Sequence, residues 1–277
     1  MDPLKNTTLP PAGYTGLVKF RVLGSFGGDG PTCRMTSFLI DDVVAIDAGA
    51  ITRALEIDQQ RRIQHVVITH NHSDHTASLP FLIENIFGTA NEAVTIYSTK
   101  RVLANVKRHL FNNDTWPDFS RIPNHIYPSV RFVEITAGVP FTISGLNGGD
   151  LTITPIPVNH IVPTVGLLMQ QAHVSIGFTS DTGPTEAFWE QANQTENLAA
   201  VITECSFPNR LQAVADVSLH LTPATLAVEL AKLRPGPRVH LYHLKPPYLD
   251  EIREELATTQ LPVQVEELEQ DRVYLFE

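Results

Sequence analysis

His65 to His75 reads HVVITHNHSDH, and this stretch decides the fold. Its first five residues, HVVIT (His65 to Thr69), have the apolar, β-branched character of a buried strand. The next six, His70-Asn71-His72-Ser73-Asp74-His75, put three imidazoles and one carboxylate on the loop that follows. SDHTASLPFLIENIF then carries Leu79, Leu82, Ile83 and Ile86 at helical spacing. From so short an arc His70 and His72 can point one way and Asp74 and His75 another, which suits two neighbouring metal ions rather than one. The bland alternative is a solvated histidine-rich turn. It fits poorly with a buried strand directly before it, because such polar groups are costly to bury without a metal.

Upstream, LVKFRVLG (Leu17 to Gly24) reads as a strand entering a glycine-rich loop, and SFLI (Ser37 to Ile40) and VVAI (Val43 to Ile46) flank a hairpin turn at Asp41-Asp42. Ile51 to about Asp58 suits a short helix. Downstream, VTIYS and TKRVLANVKRHLF make a strand and an amphipathic helix with Val102, Val106 and Leu110 on one face. The strands RFVEI, PFTIS, LTITPIPV, TVGLLMQ, HVSIGFT, LAAVITE and RVHLYH follow, with helices over Pro184 to Asn193, ATLAVELAKL and DEIREELATT, and two short strands end the chain. Thr222 is placed as a helix N-cap with Pro223 behind it. No composition break or linker divides the 277 residues, so one domain over 1–277 is expected, with 1–14 as a loosely packed N-terminal segment.

Composition narrows the chemistry. The net charge of −10, from 20 Lys plus Arg against 30 Asp plus Glu, disfavours a polyanion-binding surface, so no nucleic-acid partner is expected. Two cysteines, Cys33 and Cys205, exclude a disulfide framework and any site needing three thiolates. A metal here is held by imidazole and carboxylate, for which 11 His are available. No run approaches the ~18 apolar residues of a membrane span, and MDPLKNTTLPPAG lacks the features of a secretory leader, so a cytoplasmic location and no membrane contact are expected.

The loop is an HxHxDH motif, and with it the chain resembles the metallo-β-lactamase superfamily of metal-dependent hydrolases. The resemblance implies a four-layer αββα sandwich in the α/β class and further ligands at set places. PIPVNH supplies His160, GFTSDTG supplies Asp181 and RVHLYHLKP supplies His243. It assigns His70, His72 and His160 to one divalent ion, Asp74, His75 and His243 to a second, and Asp181 as a bridge; Zn2+ suits these donors, and Mn2+ or Fe2+ also fit. His240 competes with His243. Strand alternation puts Val239, Leu241 and His243 on one face and His240 on the other, and the strand's end belongs to His243. Asp47, in the sequence Asp47-Ala48-Gly49, resembles a position that orients a ligand from behind. Cys205 fills no ligand position and reads as a buried structural thiol.

Two readings separate the branches of the superfamily. Glu204, after LAAVIT, and His220, in HLTP, match the phosphodiesterase branches, where such a Glu orients a His that donates a proton. A sugar alkoxide is a poor leaving group, so a general acid is needed there. The alternative for His220 is a helix cap, a role Thr222 already fills. Asp74 counts among the catalytic groups as well as the ligands. LFNNDTWPDFSRIP (Leu110 to Pro123), with THNHSDHTASLPFLIEN, ECSFPN, HLTP and YHLKP, is similar to the class II cyclic-nucleotide phosphodiesterases, from Leu23 to Pro246. That implies hydrolysis of 3′,5′-cyclic nucleotides such as cAMP or cGMP to 5′-monophosphates, a small-molecule substrate, and a homodimer as one form of assembly. Asn71 and Ser73 depart from the residues common in the motif, and tuning rather than loss of metal is expected. Trp116, Phe119 and Tyr127 either cover the sheet edge or stack on a base, and Asn209 and Arg210 stay undecided. Processing of tRNA 3′ ends, as by RNase Z, is the competing reaction, and a cyclic-nucleotide or metal binding module without turnover is the competing class.

Overall fold

A computed structural model describes residues 16–89, 92–124 and 128–277. The expectations for residues 1–14 and for Tyr127 lie outside these. In chain order the elements are β1 (Val18–Gly24), β2 (Ser37–Ile40), β3 (Val44–Ile46), α1 (Ile51–Ala54), α2 (Ile57–Gln60), β4 (His65–Val67), α3 (Ser73–Thr76), α4 (Leu79–Ile86), β5 (Val94–Thr99), α5 (Lys100–His109) and β6 (Val130–Ile135). There follow β7 (Phe141–Ile143), β8 (Leu151–Pro157), β9 (Val165–Gln171), β10 (Val174–Phe178), α6 (Ala187–Gln194), β11 (Leu198–Glu204), α7 (Gln212–Ser218), α8 (Pro223–Leu230), β12 (Arg238–Tyr242), α9 (Leu249–Thr258), β13 (Val265–Glu267) and β14 (Val273–Phe276).

The strands form two seven-stranded sheets, ordered β14-β1-β2-β3-β4-β5-β6 and β13-β12-β11-β10-β9-β8-β7. Each is antiparallel over one part and parallel over the other, β3 to β6 in the first and β10 to β13 in the second. Parallel neighbours need crossover connections, and these supply the helices that cover the outer faces. The inner faces pack on each other through Phe20, Phe38, Phe178 and Tyr242, with Phe38 5.1 Å from Phe20, 5.5 Å from Phe178 and 5.8 Å from Tyr242 between ring centroids. Leu79, Leu82, Ile83 and Ile86 of α4 and Val102 and Val106 of α5 join the outer face of the first sheet. Phe188 and Trp189 of α6, Leu226 and Leu230 of α8 and Ile252 of α9 join that of the second. This is the αββα sandwich expected from the sequence.

Local signals hold at the turns. Asp41 and Asp42 sit at φ 52° and 60°, the geometry a two-residue hairpin demands, and the Val43 N–H donates to the Ile40 carbonyl at 3.1 Å. Thr222 caps α8 by accepting from the Thr225 N–H. The helix expected over 51–58 is instead two single turns, because Leu55 leaves the helix in an extended conformation to bury its side chain and Glu56 starts a new capping box with Gln59. A one-turn helix at Asn209–Leu211 and α7 form where no helix is foreseen. Val214 and Val217 of α7 are exposed, so it carries no apolar stripe to read.

What positions the site is a set of strand ends. Asp47 follows β3, His70 to His75 follow β4, His160 follows β8, Asp181 follows β10, Glu204 ends β11, and His243 follows β12.

Candidate metal centre

The structure brings all seven side chains expected as ligands into two adjoining groups, His70, His72, His160 and Asp181 in one and Asp74, His75, Asp181 and His243 in the other. Asp181 is common to both. Its Oδ2 lies 3.7 Å from His70 Nε2, 3.3 Å from His75 Nε2 and 3.2 Å from His243 Nε2. His243 Nε2 is also 3.2 Å from Asp74 Oδ2, and His160 Nε2 is 3.2 Å from His72 Nδ1.

Four of the five rings are held from behind, which leaves the other nitrogen of each facing inward. His75 Nδ1 pairs with Asp47 Oδ2 at 2.7 Å, and Asp47 Oδ1 also accepts from the Thr69 N–H at 2.8 Å. His70 Nδ1 meets Thr69 Oγ1 at 3.0 Å, His160 Nδ1 meets the Leu219 carbonyl at 3.1 Å, and His243 Nδ1 meets Ser206 Oγ at 2.9 Å. The Tyr242 hydroxyl donates to Asp181 Oδ1 at 3.1 Å. The backbone is bent to reach this arrangement: Asp47, Ser180 and His243 have φ of 55°, 57° and 65°, in the left-handed region that non-glycine residues rarely enter. Gly49 is required for the same reason of space, since a Cβ there would stand 2.0 Å from the Asp74 carbonyl oxygen.

Protonation follows burial and charge. Burial pushes the His70 and His243 rings toward the neutral form and takes His160 down to about 4. Burial also opposes ionisation of Asp181, but His243 and His75 beside it outweigh that and hold its carboxyl well below the usual range. His75 is pushed up, because Asp181 and Asp47 on its two sides overcome the cost of burying its charge. In the described residues the buried Nε2 atoms of His70 and His75 have no hydrogen-bond partner. Two inward nitrogens without donors, gathered around a buried carboxylate, suit divalent cations and would be costly otherwise. The residues therefore fit two ions.

Beside this cluster, His220 Nδ1 pairs with Glu204 Oε1 at 2.7 Å. Glu204 is fully buried and accepts in addition from the Thr182 N–H at 2.8 Å, Ser206 Oγ at 2.5 Å and the Leu221 N–H at 3.2 Å. The His220 ring is stacked 5.2 Å from His243 and lies 5.0 Å from His160. Burial works against its charged form, yet the Glu204 carboxylate prevails and raises it. With Nδ1 engaged, Nε2 is the nitrogen left for a ligand.

His240 is excluded from the cluster: it packs between the sheets against Tyr274 at 5.1 Å and Phe276 at 5.7 Å. The face argument that favoured His243 needs correcting, because β12 stops at Tyr242 and His243 turns by its positive φ rather than by strand alternation. Its place at the strand's end is what counts. Cys205 is buried, and burial pushes its thiol up, as a structural cysteine requires. Trp116 packs on Phe81 and Phe119 on Phe87 and Phe111, over the outer face of the first sheet. Asn71 accepts from Asn105 Nδ2 at 3.1 Å. Sequence reasoning missed Thr69, Ser206 and Tyr242; each adjoins a residue it did single out, and that adjacency was the available signal.

A family model described as a beta-lactamase superfamily domain matches residues 36–244. The chain belongs to this family. This superfamily domain has the metallo-β-lactamase fold, a fold that implies divalent metal ions and a metal-dependent hydrolase. It is 29% identical over 119 residues to a 3′,5′-cyclic-nucleotide phosphodiesterase of Schizosaccharomyces pombe, which is 43% of this chain and 31% of that one, so the match spans about a third of the relative's length. In architecture it is similar to unliganded yeast PDE1, with a TM-score of 0.77 and 17% identity over 94% of this chain and 99% of that one. Human tRNase Z, short form, is similar with a TM-score of 0.64 and 17% identity over 92% of this chain and 98% of that one. At such identities the two structures speak to fold alone. Among the described residues no helix is long and apolar enough to cross a membrane.

Proposed function

We propose that this protein is a phosphodiesterase that hydrolyses 3′,5′-cyclic nucleotides to nucleoside 5′-monophosphates. The observation that carries the reading is the buried Glu204–His220 pair set against the His160 and His243 rings. A ribose alkoxide is a poor leaving group, and this pair can supply the proton that its expulsion needs. His70, His72, His160 and Asp181 would hold one ion, and Asp74, His75, His243 and Asp181 the other. When bound, two such ions supply a water activated for attack near neutral pH and positive charge for the phosphoryl oxygens. The chain's own part is the proton. Glu204 fixes the His220 ring through Nδ1 and favours its charged form, so Nε2 delivers a proton to the 3′-oxygen as the P–O3′ bond breaks. Water adds to phosphorus, and the products are a 3′-hydroxyl and a 5′-phosphate on one nucleoside. The identity to a cyclic-nucleotide phosphodiesterase supports this choice of substrate.

Cleavage of tRNA precursors is the second reading, favoured by the likeness to tRNase Z. Against it stand the charge of −10 and the segment between His160 and Asp181, which is a hairpin of β9 and β10 inside the sheet and projects no RNA-binding arm. The deciding experiment is elemental analysis of the purified protein coupled to turnover of cAMP, cGMP, 2′,3′-cyclic nucleotides, bis(p-nitrophenyl) phosphate and a tRNA precursor. Two equivalents of divalent metal and turnover of a 3′,5′-cyclic nucleotide are expected. A metal-replete protein that trims the precursor and leaves cyclic nucleotides intact would sink the proposal.

A further inference from the structure

If His220 protonates the leaving 3′-oxygen, the nucleoside lies on the His220 side of the metal cluster, and what flanks His220 there becomes part of the binding site. The flanking group is aromatic. The half-buried Phe207 ring stands 5.8 Å from the His220 ring, and Tyr248 lies 6.2 Å beyond it at 47°. The platform is fixed by backbone. The Phe207 N–H donates to the Leu221 carbonyl at 3.2 Å, the Lys245 N–H to the Ser206 carbonyl at 3.3 Å, and the Tyr248 N–H to the Lys245 carbonyl at 2.9 Å. It thus ties the loop after β11, the His220 loop and the loop after His243 together. A cation lies over each ring: Lys245 Nζ is 5.7 Å from the Phe207 centroid and Arg210 Cζ 5.6 Å from that of Tyr248. Glu251 neutralises Arg210 through bonds of 2.7 and 3.0 Å. Lys245 makes no ion pair among the described residues, and its ammonium donates only to the Gly27 carbonyl, at 3.0 Å.

We infer that Phe207 is the stacking platform for the nucleobase of the substrate, backed by Tyr248, with Lys245 supplying positive charge beside it. The inference rests on the proposed hydrolysis of cyclic nucleotides. Every base has a π-face, so such a platform favours a base over no base more than it separates adenine from guanine. The Trp116 and Phe119 block is engaged elsewhere: both side chains pack with Phe111 in the apolar cluster on the outer face of the first sheet. A groove of about 680 Å³ past His160 also adjoins the cluster, walled by Val158, Ile161, Val162 and Pro163. It lies on the side of His160 and has no Phe, Tyr or Trp among its lining residues.

The test compares kcat/KM for cAMP with that for the abasic analogue, 1-deoxyribose 3′,5′-cyclic phosphate, in metal-replete enzyme. Phe207→Ala is expected to lower the cAMP-to-abasic ratio about tenfold, mostly through KM for cAMP, and Phe207→Trp to restore it. A structural disturbance alone would lower both substrates together and leave the ratio fixed. Ile161→Ser, in the groove, is expected to leave the ratio as in the wild type. An unchanged ratio in Phe207→Ala with wild-type cAMP turnover intact overturns the platform alone. A ratio that falls in Ile161→Ser and not in Phe207→Ala moves the base to the groove and overturns it too. Absence of cAMP turnover in the wild type removes the proposed function, and the platform with it.

Discussion

Asp47 touches no substrate, yet replacing it with Asn tests the whole arrangement of the second ion site. In the native chain Asp47 Oδ2 accepts from His75 Nδ1 at 2.7 Å while Oδ1 accepts from the Thr69 N–H at 2.8 Å. Asn keeps one oxygen, which stays with Thr69, and turns an NH2 donor toward His75. The imidazole must then present a lone pair at Nδ1 and carry its proton on Nε2, the atom that faces Asp181 at 3.3 Å. A proton on Nε2 blocks coordination there. Both partners are fully buried, so no solvent replaces the lost acceptor. A hydrogen bond to a charged group contributes about 1.5–3 kcal/mol, which at about 1.4 kcal/mol per decade is a loss of roughly 10- to 100-fold in affinity. The loss should fall on one metal equivalent, since His70 is held by Thr69 and His160 by the Leu219 carbonyl. Calorimetric titration of metal-stripped protein with Zn2+ against a competing chelator resolves two equivalents in the wild type and one weakened equivalent in Asp47→Asn. Two equivalents of unchanged affinity in a folded Asp47→Asn protein would refute the reasoning.

Other expectations follow from the same geometry. His220→Ala should lower kcat on cAMP by about 10²- to 10⁴-fold but act far less on bis(p-nitrophenyl) phosphate, whose leaving group needs no proton, and steady-state kinetics on the two substrates checks this. Gly49→Ala drives a Cβ to 2.0 Å from the Asp74 carbonyl oxygen, so the ligand loop must move; urea unfolding should register a loss of about 3 kcal/mol. Burial lowers the pKa of His240 against the opposing charge of Glu266, and neither ring nitrogen has a hydrogen-bond partner among the described residues. The unfolded chain therefore takes the proton first: stability is full above the unfolded value of 6.5 and is lost as pH falls below it toward the folded value. His240→Phe should flatten that slope by up to about 1.4 kcal/mol per pH unit in chemical denaturation curves, and an unaltered slope would remove His240 as its source.

The metal donors were legible because the fold puts them where sequence patterns end. His70 to His75, His160, Asp181 and His243 each follow a strand whose apolar run is visible, and a titratable residue just past such a run has few structural reasons to be there. Glu204 and His220 were legible through the resemblance to the phosphodiesterase branches, although 16 residues separate them and His220 follows a helix rather than a strand. What supports them was not. Ser206 reaches across 37 residues to His243, and Tyr242 across 61 to Asp181, as ordinary residue types whose roles exist only through that proximity. The destination of β14 was illegible too, since alternation marks a strand and not its partner. It returns to pair with β1, so Phe276 joins Phe20 and Phe38 between the sheets. Phe207 shows how the two kinds of information combine. In sequence it is one aromatic among 13 Phe, and the block around Trp116 draws more attention. On the proposed reading, the placement of His220 against His243 says on which side a nucleoside would lie, and therefore which ring would meet its base.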